Sequence, residues 1–354
     1  MLKRLNAILL FFVMAVVLSA CGNSGAPADG KSGKSKNNTI EASIAGASYV
    51  LLGDDDGASE DQSSAGTLAV DLKVKNVSES SILLSPGQDI KLYDGDEEVN
   101  FDGHAYSSKL DLDSSSSGSI GAGKSKTITV YFNVNKDKTY EIGLSPYTDN
   151  GKKSKELKLE LDTKKYSKSF KTLQDPAKAL KAYVETIYFG KDNPDYEKYT
   201  AADKETVQKE AQKAFKDVME DIVDDLSDAD AEKYYQSYKS AAAQKVKIET
   251  ETEAVAKGRA VVKLNYTTIP TNDLYDKLGD YEDEYNDSLA DYDTEKAEKY
   301  ALSKFDTIVN AIEPEEAGNP LEIPMVLKDG KWSVYASDYN SKELSEIFGG
   351  GRVY

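Results

Sequence analysis

The sequence predicts two domains of different class. An all-β antiparallel sandwich over residues 39–163 precedes an α+β domain over 164–354, with helices packed on an antiparallel sheet. Three observations carry this. Apolar residues recur with period two through the early chain and with a period near 3.6 from about residue 175 onward. Later, two alternating runs fold back about Lys257-Gly258 and Lys328-Asp329-Gly330. Finally, 354 residues at about 150 per domain suffice for two buried cores.

In the first domain Leu68, Val70, Leu72 and Val74 alternate with Ala69, Asp71, Lys73 and Lys75, the mark of a strand with one dry face. Ile128, Val130, Phe132 and Val134 alternate in the same way with Thr127, Thr129, Tyr131 and Asn133, and Leu157, Leu159 and Leu161 follow. Turn signals separate these runs at Ser85-Pro86-Gly87, Asp94-Gly95, Gly121-Ala122-Gly123 and Asp149-Asn150-Gly151.

In the second domain Asp175 is expected to cap a helix with Pro176 at its first position, Leu180, Tyr183, Val184, Ile187 and Tyr188 on one face, and Gly190 at its end. Thr200 is expected to cap a long helix with the stripe Val207, Ala211, Phe215, Val218, Ile222 and Leu226. Ser227 and Asp230 stand at capping-box-like spacing before a helix carrying Tyr234, Tyr235, Tyr238 and Ala242. A hairpin over 246–268, a charged helical stretch over about 272–312 and a hairpin over 321–335 complete the reading.

The N-terminus supplies an address. Lys3 and Arg4 precede an apolar run from Ala7 to Leu18, about 12 residues, whereas a membrane span needs about 20. Residues 1–20 therefore read as a signal peptide. The following Leu18-Ser19-Ala20-Cys21 resembles the lipobox of bacterial lipoprotein precursors. That resemblance implies cleavage before Cys21, lipidation of its sulfur, and attachment to the cell membrane on the extracytoplasmic face. Two acyl chains hold stably where one binds marginally. Residues 22–38 have no apolar periodicity and read as a flexible basic tether, with Lys31, Lys34 and Lys36 against Asp29.

Further resemblances refine the domains. Leu72-Lys73-Val74-Lys75-Asn76, with Gly123-Lys124-Ser125 leading into Val130-Tyr131-Phe132-Asn133-Val134, resembles the immunoglobulin-like domain of Gram-positive lipoproteins often called telokin-like. Val326-Leu327-Lys328-Asp329-Gly330-Lys331-Trp332-Ser333-Val334 resembles the closing hairpin of nuclear-transport-factor-like or cystatin-like domains. The order of elements also resembles an uncharacterised C-terminal domain that accompanies the telokin-like module. None of these resemblances brings a catalytic motif.

Composition narrows the chemistry. With 44 basic against 62 acidic residues, the net charge of −18 opposes nucleic-acid binding. Arg4, Arg259 and Arg352 are the only arginines, which disfavours arginine-cluster recognition of phosphate. One His and one Cys leave no material for disulfides, Cys/His zinc sites or Cys–His dyads.

The remaining motifs have plain explanations. Gly25–Ser32 and Gly118–Ser125 both satisfy the P-loop expression, yet the first lies in the tether and the second runs into a strand where a P-loop needs a helix. No nucleotide and no cofactor is expected. Asp54-Asp55-Asp56-Gly57 with Glu60 and Asp61 offers calcium several carboxylates but fails the EF-hand spacing, so a solvated loop is expected and no metal. His104, after Asp102-Gly103, has no nucleophile beside it and reads as a loop residue. Tyr275, Leu278, Tyr285, Leu289 and Tyr292, with Tyr281 at the edge, form a helical stripe expected to pack, with an aromatic cleft for glycan, peptide or lipid as the other reading. Trp332 is expected in the core, and the acidic runs Asp224-Asp225 and Asp280–Glu284 on solvated helix faces.

The expected function is a non-catalytic, lipid-anchored binding protein of the envelope, whose partner is an envelope protein, a cell-wall polymer or a small ligand. Two other readings stay open: an enzyme with an Asp/Glu/Tyr-lined pocket in the second domain, and a structural component of the envelope.

Overall fold

The computed structural model describes residues 33–53, 64–99, 105–113, 118–223, 225–287 and 292–351. It has mixed α and β content, with several antiparallel sheets and helices. Up to residue 162 the regular elements are strands apart from the helical turn α1 (Pro86–Asp89); beyond it, helices dominate.

The strands are β1 (Lys34–Lys36), β2 (Ile40–Val50), β3 (Ala65–Asn76), β4 (Ile82–Leu84), β5 (Ile90–Asp94), β6 (Glu97–Val99), β7 (Tyr106–Ser107), β8 (Leu112–Asp113), β9 (Gly118–Ile120), β10 (Ser125–Asn135), β11 (Thr139–Leu144), β12 (Tyr147–Thr148) and β13 (Leu157–Asp162). They pair as β1-β2-β3-β10, β13-β11-β5-β6 and β12-β4-β9, with β7-β8 a separate ribbon. The alternating residues behave as their period demands: Leu68, Val70, Leu72 and Val74 from β3, Ile128, Val130, Phe132 and Val134 from β10, and Leu157, Leu159 and Leu161 from β13 meet in one core. β1 corrects one expectation. Residues 34–36, read as tether, pair with Glu41–Ser43 of β2, because Asn37 turns the chain by accepting hydrogen bonds from the Thr39 and Ile40 amides.

Asn76 organises the end of β3. Its amide donates to the Ser80 and Ile120 carbonyls, its Oδ1 accepts from the Ser78 N–H and hydroxyl, and its own N–H donates to the Lys124 carbonyl. The P-loop-like Gly118–Ser125 is therefore β9, a turn over 121–124 and the first residue of β10, with Gly123 at φ 70°.

The chain crosses through a 3-10 turn (Thr163–Tyr166) and α2 (Ser167–Lys171), then α3 (Asp175–Ile187), α4 (Asp195–Tyr199), α5 (Lys204–Met219) and α6 (Asp228–Lys245). There follow β14 (Ile248–Ala256), β15 (Arg259–Thr268), α7 (Thr271–Asp287), α8 (Thr294–Ser303), α9 (Phe305–Ala311), β16 (Glu315–Glu316), β17 (Leu321–Lys328), β18 (Lys331–Val334) and α10 (Tyr339–Gly350). β14-β15-β17-β18 form one sheet, with β16 on the far end of β15. Both hairpins turn as expected, with positive φ at Lys257, Gly258, Asp329 and Gly330.

Helix starts differ in detail. Asp175 lies inside the first turn of α3, and the cap position falls to Gln174. Thr200 ends α4 instead of starting α5; its hydroxyl donates to the Ala179 carbonyl, and Asp203 caps α5 by accepting from the Glu205 and Thr206 amides. The helix stops at Met219, so Ile222 and Leu226 lie beyond it. Ser227 caps α6 as its spacing implies. The second core takes the α3 face, Phe215, Tyr234, Tyr235, Tyr238 and Trp332 against Val262, Leu264 and Ile323.

A third cluster joins the two regions: Val50, Ala105, Leu110 and Tyr131 meet Ala254, Ala256 and Val261. Tyr131 alternates as an outward residue, yet is only 4% exposed because the second sheet covers it. A β-bulge at Glu253 makes this fit. Thr252 pairs with Val262 and Ala254 with Val261, so Ala254 and Ala256 face the first region instead of the helices.

Candidate functional site

A cleft of about 650 Å³ opens where α5 ends and α7 begins. Val218, Asp221 and Ile222 form one wall, Pro270, Thr271, Asn272, Asp273 and Tyr275 another, and Glu315 and Gly351 close it. Its volume is that of a small-molecule site. Asp221, Asp273 and Glu315 supply carboxylates, and no lysine or arginine stands among these lining residues.

Gly351 forms the cleft's floor, and the two glycines before it set the packing behind it. A Cβ on Gly349 would lie 3.0 Å from the Ala211 carbonyl oxygen, and one on Gly350 would lie 2.7 Å from Val218 Cγ2, so α10 can press directly on α5. Gly351 holds φ 67°, with the Ile269 carbonyl oxygen 2.3 Å from a Cβ position. Its own carbonyl accepts from the Thr271 N–H at 3.1 Å, which ties the end of α10 to the start of α7. Thr268 Oγ1 donates to the Ile347 carbonyl at 2.9 Å, and Tyr238 Oη donates to the Ile269 carbonyl at 3.2 Å. Sequence reasoning missed both α10 and this floor. The Gly349-Gly350-Gly351 run was the available signal, together with Leu344, Ile347 and Phe348 at helical spacing.

The aromatic stripe of α7 divides. Leu274 and Leu278 are the buried apolar residues of the helix, and Tyr281 and Tyr285 pack on Tyr300 of α8 with centroids 6.3 and 5.3 Å apart. Tyr275, expected to pack, is 59% exposed and lines the cleft; Tyr292 is 70% exposed. On the same helix, burial beside Glu298 and Asp283 raises the Glu282 carboxyl.

A smaller cleft of about 350 Å³ lies between the start of α3 and the start of β14, lined by Gln174, Lys178, Lys181, Glu249 and neighbours. Gln174 is already engaged, accepting from the Thr252 N–H at 3.0 Å, and Lys178 pairs with Asp175 at 2.8 Å.

The phenols of the second core are committed to packing. Tyr188 shares a 2.9 Å hydrogen bond with Ser345, and burial pushes its pKa up to about 12. Burial pushes Tyr238 up to about 12 as well, and raises Tyr183 and Tyr235. At neutral pH these hydroxyls are proton-bearing groups in a dry interior.

Leu18, Ser19, Ala20 and Cys21 lie outside the described residues, as do the tether through residue 32, the acidic run 54–61, His104 and Leu289. Among the described residues no group of three or more His, Cys, Asp or Glu is placed to hold a metal ion, and no helix is long and apolar enough to cross a membrane.

Comparison with known proteins follows this two-part layout. Residues 35–169 match the family described as "Domain of unknown function (DUF4352)". The "Uncharacterized lipoprotein YcdA" of Bacillus subtilis (strain 168) is 28% identical over 357 residues, covering 98% of each chain. A crystal structure of YcdA from the same bacterium is 26% identical and superposes with a TM-score of 0.65, over 88% of this chain and 97% of that one. Residues 166–349 match the family described as "Domain of unknown function (DUF5105)", and because that match takes in more than half of the sequence, the chain belongs to this family.

Proposed function

We propose that this protein is a non-catalytic binding protein, anchored through lipid on Cys21 to the extracytoplasmic face of a bacterial membrane. In this reading residues 39–163 are an immunoglobulin-like sandwich and residues 164–354 an α+β domain of nuclear-transport-factor-like or cystatin-like build. The anchor is supported by the Leu18-Ser19-Ala20-Cys21 lipobox and by the lipoprotein name of the relative. The partner is an envelope protein or a cell-wall component that presents amines or other hydrogen-bond donors.

The observation that carries the binding reading is the cleft beside α7. Its lining offers the carboxylates of Asp221, Asp273 and Glu315, the exposed ring of Tyr275 and apolar contacts from Val218 and Ile222. Carboxylates and an aromatic face together suit an ammonium-bearing ligand. The interior phenols, held protonated by burial, offer no base near neutral pH.

Two measurements test this. Mass spectrometry of the membrane-extracted protein should find a mature terminus at Cys21 bearing acyl groups, and Cys21→Ala should release the protein from the membrane fraction. Titration of the chain from residue 22 with a tri-lysine peptide should shift amide resonances of Thr271, Asn272, Asp273 and Gly351, and Asp273→Asn with Glu315→Gln should weaken that response. Shifts scattered over the surface and unchanged in the double variant would remove the cleft from the proposal.

A further inference from the structure

Beyond the connecting segment, where Phe170 and Leu173 pack on the first core and the Ser169 hydroxyl accepts from the Tyr49 N–H, the two family regions meet along β14. Leu51, next to the end of β2, exchanges both backbone hydrogen bonds with Val255 of β14, at 3.0 and 2.8 Å. Ala254 and Ala256 of β14 supply much of the apolar seam. Lys109 Nζ lies 2.6 Å from Glu253 Oε2, and Glu253 is the bulged residue of β14.

A polar contact also reaches beyond this strand. The same Lys109 Nζ lies 2.6 Å from Glu322 Oε1 on β17, on the far side of β15. Adjacent strands are about 4.8 Å apart, so the Glu322 backbone lies about 9.6 Å from β14, and its carboxylate reaches back to the same ammonium from off the β14 axis. A backbone bridge and contacts along one strand resist sliding but resist rotation about that strand poorly. Small interfaces between domains of one chain permit relative motion by default. An off-axis ion pair supplies the missing torque. Val261, on the intervening β15, also meets the seam, and it is short and apolar.

We propose that Lys109 is an ionic strap, which holds the two regions at one angle about β14 by bridging Glu253 on the axis to Glu322 off it. Gly53 leaves room for this strap: a Cβ there would lie 3.0 Å from both Lys109 Cδ and Ala254 Cβ. The Ser107 hydroxyl donates to the Leu52 carbonyl and fixes the base of the segment that carries Lys109. Because the three side chains are between about one-fifth and one-half exposed, salt reaches the pair and weakens it. The angle set by the strap fixes how the second region is presented relative to the first. This inference does not depend on the ligand assigned to the cleft.

The test uses the chain from residue 22 onward, which lacks cysteine. Spin labels at Lys73→Cys and Lys328→Cys, one on each region, report the distance distribution between them. In low salt the distribution should be narrow. Glu322→Gln and Lys109→Met should broaden it about twofold, as should about 1 M salt, where the screening length is about 3 Å. Glu253→Gln, which leaves the off-axis arm in place, should broaden it less. The charge exchange Lys109→Glu with Glu322→Lys, made in the Glu253→Gln background so that no carboxylate faces the new one at position 109, should restore a narrow distribution, which a purely local packing defect would not do. Unaltered widths in Glu322→Gln and Lys109→Met, with the chain still folded by circular dichroism, would overturn the strap. Broadening that the charge exchange leaves in place would overturn it equally.

Discussion

Gly350 faces Val218 with no room for a methyl group between them, since a Cβ on Gly350 would lie 2.7 Å from Val218 Cγ2. The glycine gives up about 1 kcal/mol of helix propensity relative to alanine, and the close approach of α10 to α5 is what it gains. Gly350→Ala should therefore lower stability by about 1–3 kcal/mol in denaturant unfolding, despite the better helix former. Adding Val218→Ala should recover part of that loss. Equal stability of the single variant and the parent would show that α10 moves freely away from α5.

Asn76 is fully buried and satisfies the Ser80 and Ile120 carbonyls while accepting from both donors of Ser78. Asn76→Ala leaves those carbonyls without their partner and should cost about 2–4 kcal/mol. Asn76→Asp keeps the acceptor but buries a carboxylate oxygen against the two carbonyls, so at neutral pH it should cost at least as much as the alanine variant. A urea midpoint for the alanine variant matching the parent would mean that water replaces the amide.

The β pattern was legible because each inward position of β3, β10 and β13 demands an apolar residue. The exceptions were not. Tyr131 reads as an outward residue, and no local rule says that a second sheet covers it. The bulge at Glu253 was hidden for a related reason: an extra residue flips the facing of Ala254 and Ala256 without changing the apparent alternation. Thr200 and Asp203 are both good caps, and the choice between them rests on the Ala179 carbonyl, distant in sequence, that engages Thr200. For the cleft, Tyr275 was in view as part of a stripe, but Leu274 takes the buried position one residue earlier. The residues that complete the cleft come from four separated segments, whose meeting depends on the close packing at Gly349, Gly350 and Gly351.

Asp89 gives the fold a pH signature. It is 2% exposed; its Oδ2 accepts from the Ser85 N–H, while its Oδ1 lies 3.8 Å from Lys153 Nζ with no hydrogen bond. Burial raises its pKa, against the opposing pull of the Ser85 amide and Lys153. A raised value in the fold means that the folded protein holds the proton more tightly. The stabilisation from this group is complete below the unfolded pKa of about 3.9 and is lost as pH rises through the folded value. Asp89→Asn removes the charge and should be at least as stable as the parent at pH 7, with its advantage shrinking toward pH 4. A variant less stable at pH 7 and no closer to the parent in acid would reverse the assignment.

The bulge yields a prediction in which neighbouring deletions differ. Thr252 pairs with Val262 and Ala254 with Val261, so Glu253 is the surplus residue of β14. Deleting Glu253 leaves Thr252 toward the helices and Ala254 toward Tyr131, the facing each already has, and removes a partly exposed partner of Lys109. The cost should be about 1 kcal/mol or less. Deleting Ala254 instead puts the Glu253 carboxylate into the seam among Val50, Leu110 and Val261, where a charge lacks compensation, and should cost more than about 3 kcal/mol. Thermal unfolding orders the two variants, and hydrogen exchange at the Val262 amide reports whether the ladder survives. If the two deletions cost the same, Glu253 is not the inserted residue, and the facing of β14 depends on something other than the bulge.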